Sequence, residues 1–392
     1  MEKEEIIEIE SKNYLPVFTR NDVVLDYGKG MYLYDINSKK YLDFFAGIAV
    51  SILGHGNPDL VKAIHDQALK LIHCSNVFHT EIQARLVREL IKISGLDRVF
   101  LSNSGTESVE GAIKIARKFG KKNGGKFKIL SCINSFHGRT LGALAITGQL
   151  KYQQGYEPLL EGFDFVSFND CADLQKKFTD EVCAIIIEPI QGEGGIWPAS
   201  QEFLETAKKL CDKNNALLIL DEIQTGLFRT GKTFCWQYYN TKPNILLLAK
   251  ALGGGLPIGA ILCDEHSVSA LQKGDHGSTF GGGPLACAAA CCVLDFAQKR
   301  NLAGNAKEVG DYLVNKLLQL RGEFPFIKEV RGKGLLLGMQ LDKYGSEIVK
   351  KALEKGLIIN CTAGNVLRFM PPLIVKKEDV DEMIKIFKEA LA

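Results

Sequence analysis

The sequence predicts an α/β protein with a mostly parallel sheet buried on both faces, together with a second, smaller α+β domain. Short continuous runs of Ile, Leu and Val recur along the chain, and segments of helical periodicity such as SQEFLETAKKLCDKNN separate several of them. Strands of this kind are typical of parallel sheets that helices cover on both faces. The predicted strands are 99–101, 127–131, 183–187, 216–220, 245–249 and 259–263.

The order of these patterns divides the chain into two domains. The early segment GKGMYLYDINSKKYLDFFAG alternates apolar and polar residues around DINSKK, which indicates a hairpin of two short strands. Alternation of helices and strands begins near residue 57, and a helix-rich tail follows GGGPLACAAACCVLDFAQKR. We therefore predict a large domain over residues 57–285 and a smaller domain formed by residues 1–56 and 286–392. A chain of 392 residues is long enough for both.

The composition disfavours several classes of function. A net charge of +2 provides no field that would attract nucleic acid or an anionic membrane. The acidic start MEKEEIIEIESK does not resemble a signal peptide, and the apolar runs are too short to span a membrane. The 11 cysteines include no C-x-x-C pair, which favours reduced thiols over a zinc site. We expect a cytoplasmic enzyme that binds small molecules and holds no metal.

Polar residues follow five of the predicted strands. These strands run into NSGTES, CINSFHGRT, EPIQGEGG, DEIQTG and Lys250. In open α/β sheets, ligands bind beyond the carboxyl ends of the strands. The five polar strand ends therefore predict one binding site at a single edge of the sheet.

Two of these strand ends carry groups that suit one cofactor. Lys250 is the only charged residue in LLLAKALGGGLPIGA, and Asp221 follows a strand that is predicted to lie nearby. A lysine amine with a depressed pKa attacks aldehydes, and a buried carboxylate keeps a heterocyclic nitrogen protonated. Pyridoxal 5'-phosphate needs both groups, and the Ser104, Gly105 and Thr106 turn before a helix offers backbone donors for its phosphate.

Each of these residues alone also has a simpler interpretation. Lys250 would extend towards solvent from a strand end, and Asp221 would cap a helix. The turn at Ser104 would be an ordinary helix start, and Arg139 and Arg368 would form surface ion pairs. Their joint occurrence in this chain order favours the cofactor site.

The motifs resemble those of the class III aminotransferases, which are pyridoxal-phosphate enzymes of the type I fold. The resemblance covers nearly the whole chain, and DEIQTG together with AKALGGGLPIGA is very specific to that family. The matching segments are YLDFFAGIAVSILGHGNP, SNSGTES, SFHGRT, EPIQGEGG, DEIQTGLFRTGK, LAKALGGGLPIGA, HGSTFGGGPLA and LRFMPPL. One departure is Gly283, where the family usually has asparagine, so the turn after Thr279 is open to a change of conformation.

The resemblance implies a role for each matching residue around the cofactor. Lys250 would bind pyridoxal 5'-phosphate covalently and Asp221 would pair with its ring nitrogen, so both would be catalytic. The ring would lie between Phe136 and Ile223, with Gln224 on its hydroxyl group. The implied cofactor-binding residues are Gly105, Thr106, Phe136, Asp221, Glu222, Ile223, Gln224, Lys250 and Thr279. Thr279 would reach the phosphate of the neighbouring subunit, which implies a homodimer with shared active sites.

The resemblance also implies the reaction and its substrate contacts. The terminal amino group of N-acetylornithine would pass to 2-oxoglutarate, as in arginine biosynthesis, with ornithine, succinylornithine or 4-aminobutyrate as alternative donors. Arg139 and Ser278 would contact the acylated substrate. Arg368 would bind the α-carboxylate of glutamate, and Glu193 would pair with Arg368 when the other amine donor is bound.

Two hypotheses from other classes compete with an aminotransferase. A nucleotide-dependent dehydrogenase would use GKGLLLG, but its G-x-G-x-x-x-G spacing does not match a dinucleotide fingerprint. A non-catalytic binding protein of the same fold would be expected to lose Lys250, Asp221 and Gln224, and all three are present.

Overall fold

The structure is a computed structural model that describes residues 1–392. In chain order, its strands are β1 (Leu25–Lys29), β2 (Tyr32–Asp35), β3 (Lys40–Asp43), β4 (Arg98–Ser102), β5 (Lys128–Cys132), β6 (Phe163–Val166), β7 (Val182–Ile187), β8 (Ile190–Gln191), β9 (Trp197–Pro198), β10 (Leu217–Asp221), β11 (Ile245–Leu248), β12 (Gly259–Cys263), β13 (Ile327–Lys333), β14 (Leu336–Leu341), β15 (Leu357–Ile358), β16 (Asn360–Thr362) and β17 (Val366–Phe369).

The helices cover much of the remaining chain. They are α1 (Lys3–Asn13), α2 (Ala46–Ala49), α3 (Pro58–Lys70), α4 (Glu81–Ser94), α5 (Gly105–Lys122), α6 (Leu141–Ala145), α7 (Leu150–Gln153), α8 (Cys171–Lys177), α9 (Gln201–Lys213), α10 (Glu265–Val268), α11 (Pro284–Lys299), α12 (Leu302–Glu323), α13 (Ser346–Glu354) and α14 (Lys377–Leu391), with 3₁₀ turns at Cys235–Tyr238 and Lys250–Gly253. None of these helices is long and apolar enough to cross a membrane.

A seven-stranded sheet in the order β4-β12-β11-β10-β7-β5-β6 forms the centre of the molecule. The strands from β11 to β6 pair in parallel, whereas β12 runs antiparallel to both of its neighbours. Every residue of β7, β10 and β11 is buried, as expected for strands covered on both faces. The prediction of a mostly parallel α/β sheet is confirmed. Strand β6, which is partly exposed at the edge of the sheet, was not predicted from the sequence.

This sheet places the two predicted catalytic residues at one edge. Strands β10 and β11 are parallel neighbours, and Asp221 is in register with Leu247. Lys250 therefore leaves the sheet three residues beyond the level of Asp221 and on the same side. Because parallel strands end at the same edge, both side chains reach one crevice.

Two smaller sheets are formed by the N-terminal and C-terminal parts of the chain. The predicted hairpin is present as β2 and β3, and it is extended by β1 and by the parallel strand β15. The second small sheet has the order β13-β14-β17-β16 and carries Arg368 on β17. The pairing of β3 with β15 agrees with a small domain built from both ends, although its borders at residues 56 and 285 stay a prediction.

The segment α2 is a left-handed turn at the rim of the site. Its four residues have φ values of 50° to 65°, in the left-handed region. Each non-glycine residue in that region costs about 1–2 kcal/mol, so neighbouring contacts must stabilise the turn. Asp43 accepts hydrogen bonds from the N–H groups of Phe45 and Ala46, each at 2.8 Å. The turn ends at Val50, which lines a cavity at the carboxyl edge of the large sheet.

Candidate active site

One cavity of about 490 Å³ lies at the carboxyl edge of the large sheet. Strand ends and the loops after them supply its walls. The predicted site residues that line it are Gly105, Thr106, Phe136, Arg139, Glu193, Asp221, Ile223, Gln224 and Lys250. Val50, His137 and Glu188 also line it and were not predicted.

Lys250 lies where β11 leaves the sheet. Its backbone is left-handed, with φ of 39°, which is uncommon for a residue with a side chain. The glycines after it permit this tight turn, since a Cβ on Gly254 would lie 2.9 Å from Val293 and 3.0 Å from Leu60. Burial lowers the pKa of the Lys250 amine, although the carboxylate of Glu193 opposes this effect. A lowered pKa favours the neutral, nucleophilic form of the amine.

Two contacts fix the orientation of the Asp221 carboxyl group. The carboxylate accepts the N–H of Ile223 at 3.1 Å and approaches Nδ1 of His137 at 2.7 Å. An ionised carboxylate only accepts hydrogen bonds, so Nδ1 of His137 carries a proton. Both side chains are buried, and Nε2 of His137 has no partner. The motif SFHGRT did not predict a role for His137, because the direction of this side chain depends on how the loop folds.

Glu188 is an acid in the cavity wall that was not predicted. Its carboxyl group accepts the N–H of Phe136 at 2.9 Å and the N–H of Gly192 at 3.2 Å. Burial raises the pKa of Glu188 to about 7. Glu188 thereby links the loop that carries Phe136 to the loop that carries Glu193.

Glu222 points in a different direction from the other residues of its motif that were predicted to bind the cofactor. Its carboxyl group accepts the N–H groups of Cys235 at 2.6 Å and Trp236 at 2.8 Å, and it does not line the cavity. Successive side chains at a strand end point in opposite directions, so Asp221 faces the cavity and Glu222 faces away. Glu222 therefore stabilises the segment beneath the site, and its contact with a cofactor stays a prediction.

The remaining wall residues fit pyridoxal 5'-phosphate. Phe136 and Ile223 offer apolar surfaces for a ring, and the buried Oε1 of Gln224 has no hydrogen-bond partner. Gly105 and Thr106 open the 18-residue helix α5 after the cap at Ser104. The first N–H groups of a helix lack intrahelical partners and bind anions such as phosphate. The cavity is therefore lined by the amine of Lys250, the carboxyl group of Asp221, the amide of Gln224 and the start of α5, which can hold a phosphate.

The buried Arg368 and the partly exposed Glu193 form an ion pair beside Lys250. Nη1 of Arg368 lies 2.6 Å from Oε1 of Glu193, and the guanidinium also donates to Asn360 at 3.1 Å. Burial alone would raise the pKa of Glu193, but the charge and hydrogen bond of Arg368 hold that pKa below its ordinary value. Thr362 donates to the backbone carbonyl of Glu193 at 2.7 Å. The predicted partners are therefore in contact across the two parts of the chain.

Besides Glu222 and Arg368, the predicted residues Ser278 and Thr279 do not line this cavity. Ser278 is held by the side-chain amide of Asn103 at 3.1 Å, and Thr279 is exposed on the following turn. Asn76 fixes this turn by donating to the carbonyl of Gly281 at 2.8 Å. Gly283 is the residue before α11, which begins at Pro284. Helix α11 thus starts normally without the asparagine that is usual in the family.

Comparisons with known proteins show that the chain is an aminotransferase and identify its family. The structure superposes on the ornithine aminotransferase of Toxoplasma gondii with a TM-score of 0.96 and 34% identity, covering 100% of this chain and 94% of the other. That structure was described with partial occupancy of PLP at its active site. The chain belongs to the class III aminotransferases, because the family profile "Aminotransferase class-III" matches residues 16–391.

Two of the similar proteins are acetylornithine aminotransferases. The acetylornithine aminotransferase of Methanocaldococcus jannaschii is 50% identical over 391 residues, which is 99% of this chain and 98% of that protein. The crystal structure of the acetylornithine aminotransferase from Elizabethkingia anophelis has a TM-score of 0.89 and 33% identity, and covers 100% of this chain and 99% of the other. The predicted type I fold and family are confirmed.

Proposed function

We propose that this enzyme uses pyridoxal 5'-phosphate to transfer the terminal amino group of N-acetylornithine to 2-oxoglutarate. The products are N-acetylglutamate semialdehyde and glutamate, a step of arginine biosynthesis. The single observation that carries this proposal is the meeting of Lys250, Asp221 and Glu193 around one cavity, with Arg368 paired to Glu193. The names of the full-length relatives support the choice of substrate.

Each wall residue then has a defined task. The bound cofactor supplies an aldehyde and an electron-withdrawing ring. Lys250 would hold it covalently, and the same amine would move a proton of the substrate. Asp221 would pair with the ring nitrogen, and the N-terminus of α5 at Gly105 would hold the phosphate.

The two substrates present different groups to the same site. N-Acetylornithine reacts at its terminal amine, whereas glutamate reacts at its α-amine with a carboxylate beside it. Arg139 would bind the distant carboxylate of N-acetylornithine while Glu193 neutralises Arg368. Displacement of Glu193 would free Arg368 for the carboxylate of glutamate, because the guanidinium fork pairs with either acid.

A homodimer would complete the phosphate site. Thr279 lies on an exposed turn outside its own cavity, so it is available to a neighbouring subunit. Large apolar side chains near that turn are also exposed, which is typical of a surface that binds another protein chain. They are Ile72 (57%), Val77 (78%), Phe78 (66%) and Phe280 (67%).

Cysteine usage supports a cytoplasmic location for this enzyme. All 11 cysteines are free, and most are buried in the protein. Unpaired thiols persist in reducing compartments. Thiol titration of freshly isolated protein should find all of them reduced after unfolding.

Ornithine is the second candidate donor. The observation that favours it is the superposition on an ornithine aminotransferase, with a TM-score of 0.96. Initial rates with N-acetylornithine, ornithine, succinylornithine and 4-aminobutyrate, each with 2-oxoglutarate, separate the candidates. The highest kcat/KM should belong to N-acetylornithine, and a higher value for another donor would replace it as the substrate.

A further inference from the structure

A short segment beside the cavity has no role in the proposed reaction. It comprises Gln149 and the helix α7, which lie next to the loop that carries Phe136. Gln149 is buried and donates to the carbonyls of Asn134 at 3.3 Å and Ser135 at 3.1 Å. The segment is therefore fixed to the loop in front of the predicted ring-stacking residue.

A second buried glutamine anchors the other end of the segment. Gln153 is 7% exposed, and its amide donates to the carbonyl of Thr147 at 2.9 Å and that of Leu144 at 3.2 Å. Buried side-chain amides that bind backbone carbonyls hold a segment rigidly, because breaking those bonds would leave polar groups without partners. Tyr152 lies between these two anchored glutamines.

Tyr152 contacts two predicted site residues at once. The guanidinium carbon of Arg139 lies 4.0 Å from the centre of the Tyr152 ring. The Phe136 ring meets the same tyrosine edge-on, with centroids 5.7 Å apart and an interplanar angle of 79°. Lys151 is a further cation near this ring, with Nζ 4.8 Å from its centre.

Arg139 is an exposed cation of the cavity wall, and its guanidinium packs against the rings of Tyr152 and Phe136. A lone exposed arginine samples many rotamers, and each rotamer must be given up when a ligand binds. Stacking on an aromatic face restricts a guanidinium while its N–H edge stays free for a carboxylate. The ring of Tyr152 thus prepares Arg139 for an anionic ligand.

We propose that Tyr152 is a positioning residue that determines specificity for donors with a carboxylate distant from the reacting amine. Its ring holds Arg139 so that the guanidinium edge receives the α-carboxylate of N-acetylornithine. This inference rests on the proposed function, since it assigns the far carboxylate of the donor to Arg139. It adds a residue that selects the substrate without touching the reacting atoms.

The test compares donors that differ only in this carboxylate. N-Acetyl-1,4-diaminobutane has the acetyl group and the terminal amine of N-acetylornithine but no carboxylate. Replacing the ring by Tyr152→Leu should lower kcat/KM for N-acetylornithine roughly fivefold, mainly through KM, and should change the value for the carboxylate-free donor far less. Tyr152→Phe keeps the aromatic face and should retain the preference.

Binding without turnover provides an independent readout. N-Acetylnorvaline has the acylated α-amine and carboxylate but no amine to react, so calorimetry on the holoenzyme reports its Kd. That Kd should rise with Tyr152→Leu and stay close to the wild-type value with Tyr152→Phe. Lys151→Gln is the matched control beside it, and it should leave the Kd nearly unchanged if stacking, and not general charge, is responsible.

A double-mutant cycle distinguishes loss of the contact between Tyr152 and Arg139 from a general loss of structure. Arg139→Lys removes the planar group, so adding Tyr152→Leu to it should cause little further loss. Equal losses for both donors, equal effects of Tyr152→Phe and Tyr152→Leu, or additive losses in the cycle would each overturn the proposal. If the wild-type enzyme rejects N-acetylornithine, the proposed function fails separately. Ornithine and 1,4-diaminobutane, which also differ by one carboxylate, then decide the role of Tyr152.

Discussion

His137 donates from Nδ1 to the carboxylate of Asp221 across 2.7 Å, and both side chains are buried. Nε2 of the same imidazole has no partner. The imidazole therefore orients the carboxylate of Asp221, which lines the cavity.

The first prediction concerns this pair. His137→Phe fills the same space but cannot donate, so Asp221 should be oriented less well. We expect cofactor binding to weaken roughly tenfold, as for the loss of one charge-assisted hydrogen bond. The Kd of the apoenzyme for pyridoxal 5'-phosphate measures this. His137→Asn, which still donates near the position of Nδ1, should recover much of the affinity, and identical behaviour of both variants would contradict the assignment.

A second prediction concerns the charge of Asp221. Asp221→Asn keeps the shape of the side chain but cannot hold a protonated ring nitrogen. Proton removal should slow by orders of magnitude, whereas the fold should be preserved. Single-turnover rates with each substrate report this step. Wild-type rates in both half-reactions would reduce Asp221 to a structural residue.

A third prediction concerns Lys250. Borohydride reduction of the holoenzyme, followed by peptide mapping, should place the pyridoxyl group on Lys250. Lys250→Ala should still bind the cofactor through the phosphate and ring contacts but should lose transamination by several orders of magnitude. A label on any other lysine would exclude Lys250 as the attachment point.

Much of the fold and the principal site residues could be predicted because they follow the period of the strands. The apolar runs before Asp221 and Lys250 are continuous, and all residues of β10 and β11 are indeed buried. Two parallel strands that end at one edge bring those residues together without further information. The strand β6 was not predicted because its four residues, FDFV, include Asp164 and are mostly only partly buried, so they form no continuous apolar run.

Residues whose role depends on the direction of a loop could not be predicted in this way. Glu222 is adjacent to Asp221 in sequence, yet it faces the opposite side and binds backbone N–H groups of Cys235 and Trp236. His137 and Tyr152 acquire partners that are 84 and 13 residues away in sequence. Sequence spacing alone contains no signal for such contacts.

A fourth prediction concerns assembly. If Thr279 serves the phosphate site of a neighbouring subunit, dilution to monomer should release the cofactor and abolish activity. Sedimentation combined with cofactor absorbance across a dilution series measures both properties together. Thr279→Val should weaken cofactor binding, whereas Thr279→Ser should retain it. A monomer with bound cofactor and full activity would contradict the shared site.

The last prediction concerns the Glu193–Arg368 pair as a gate between two substrates. Glu193→Gln removes the charge that neutralises Arg368, which lies 2.6 Å away in the wild type. Arg368 should then be available to any α-carboxylate, so the glutamate half-reaction should stay fast or accelerate. Selectivity for N-acetylornithine over α-amine donors should fall roughly tenfold, the order expected for one charge-assisted contact. Single-turnover rates of each half-reaction measure this.

Arg368→Ala should have the opposite effect. Its loss removes the binding partner of glutamate and 2-oxoglutarate, so their half-reaction should decline roughly 10- to 100-fold more than that of N-acetylornithine. Thr362→Val provides a matched control, because it frees the backbone of Glu193 but keeps both charged groups. It should shift selectivity in the direction of Glu193→Gln and by less, since only the alignment of the pair is relaxed. A static ion pair would instead give equal losses in both half-reactions for both charge variants, because it would only join the two parts of the chain.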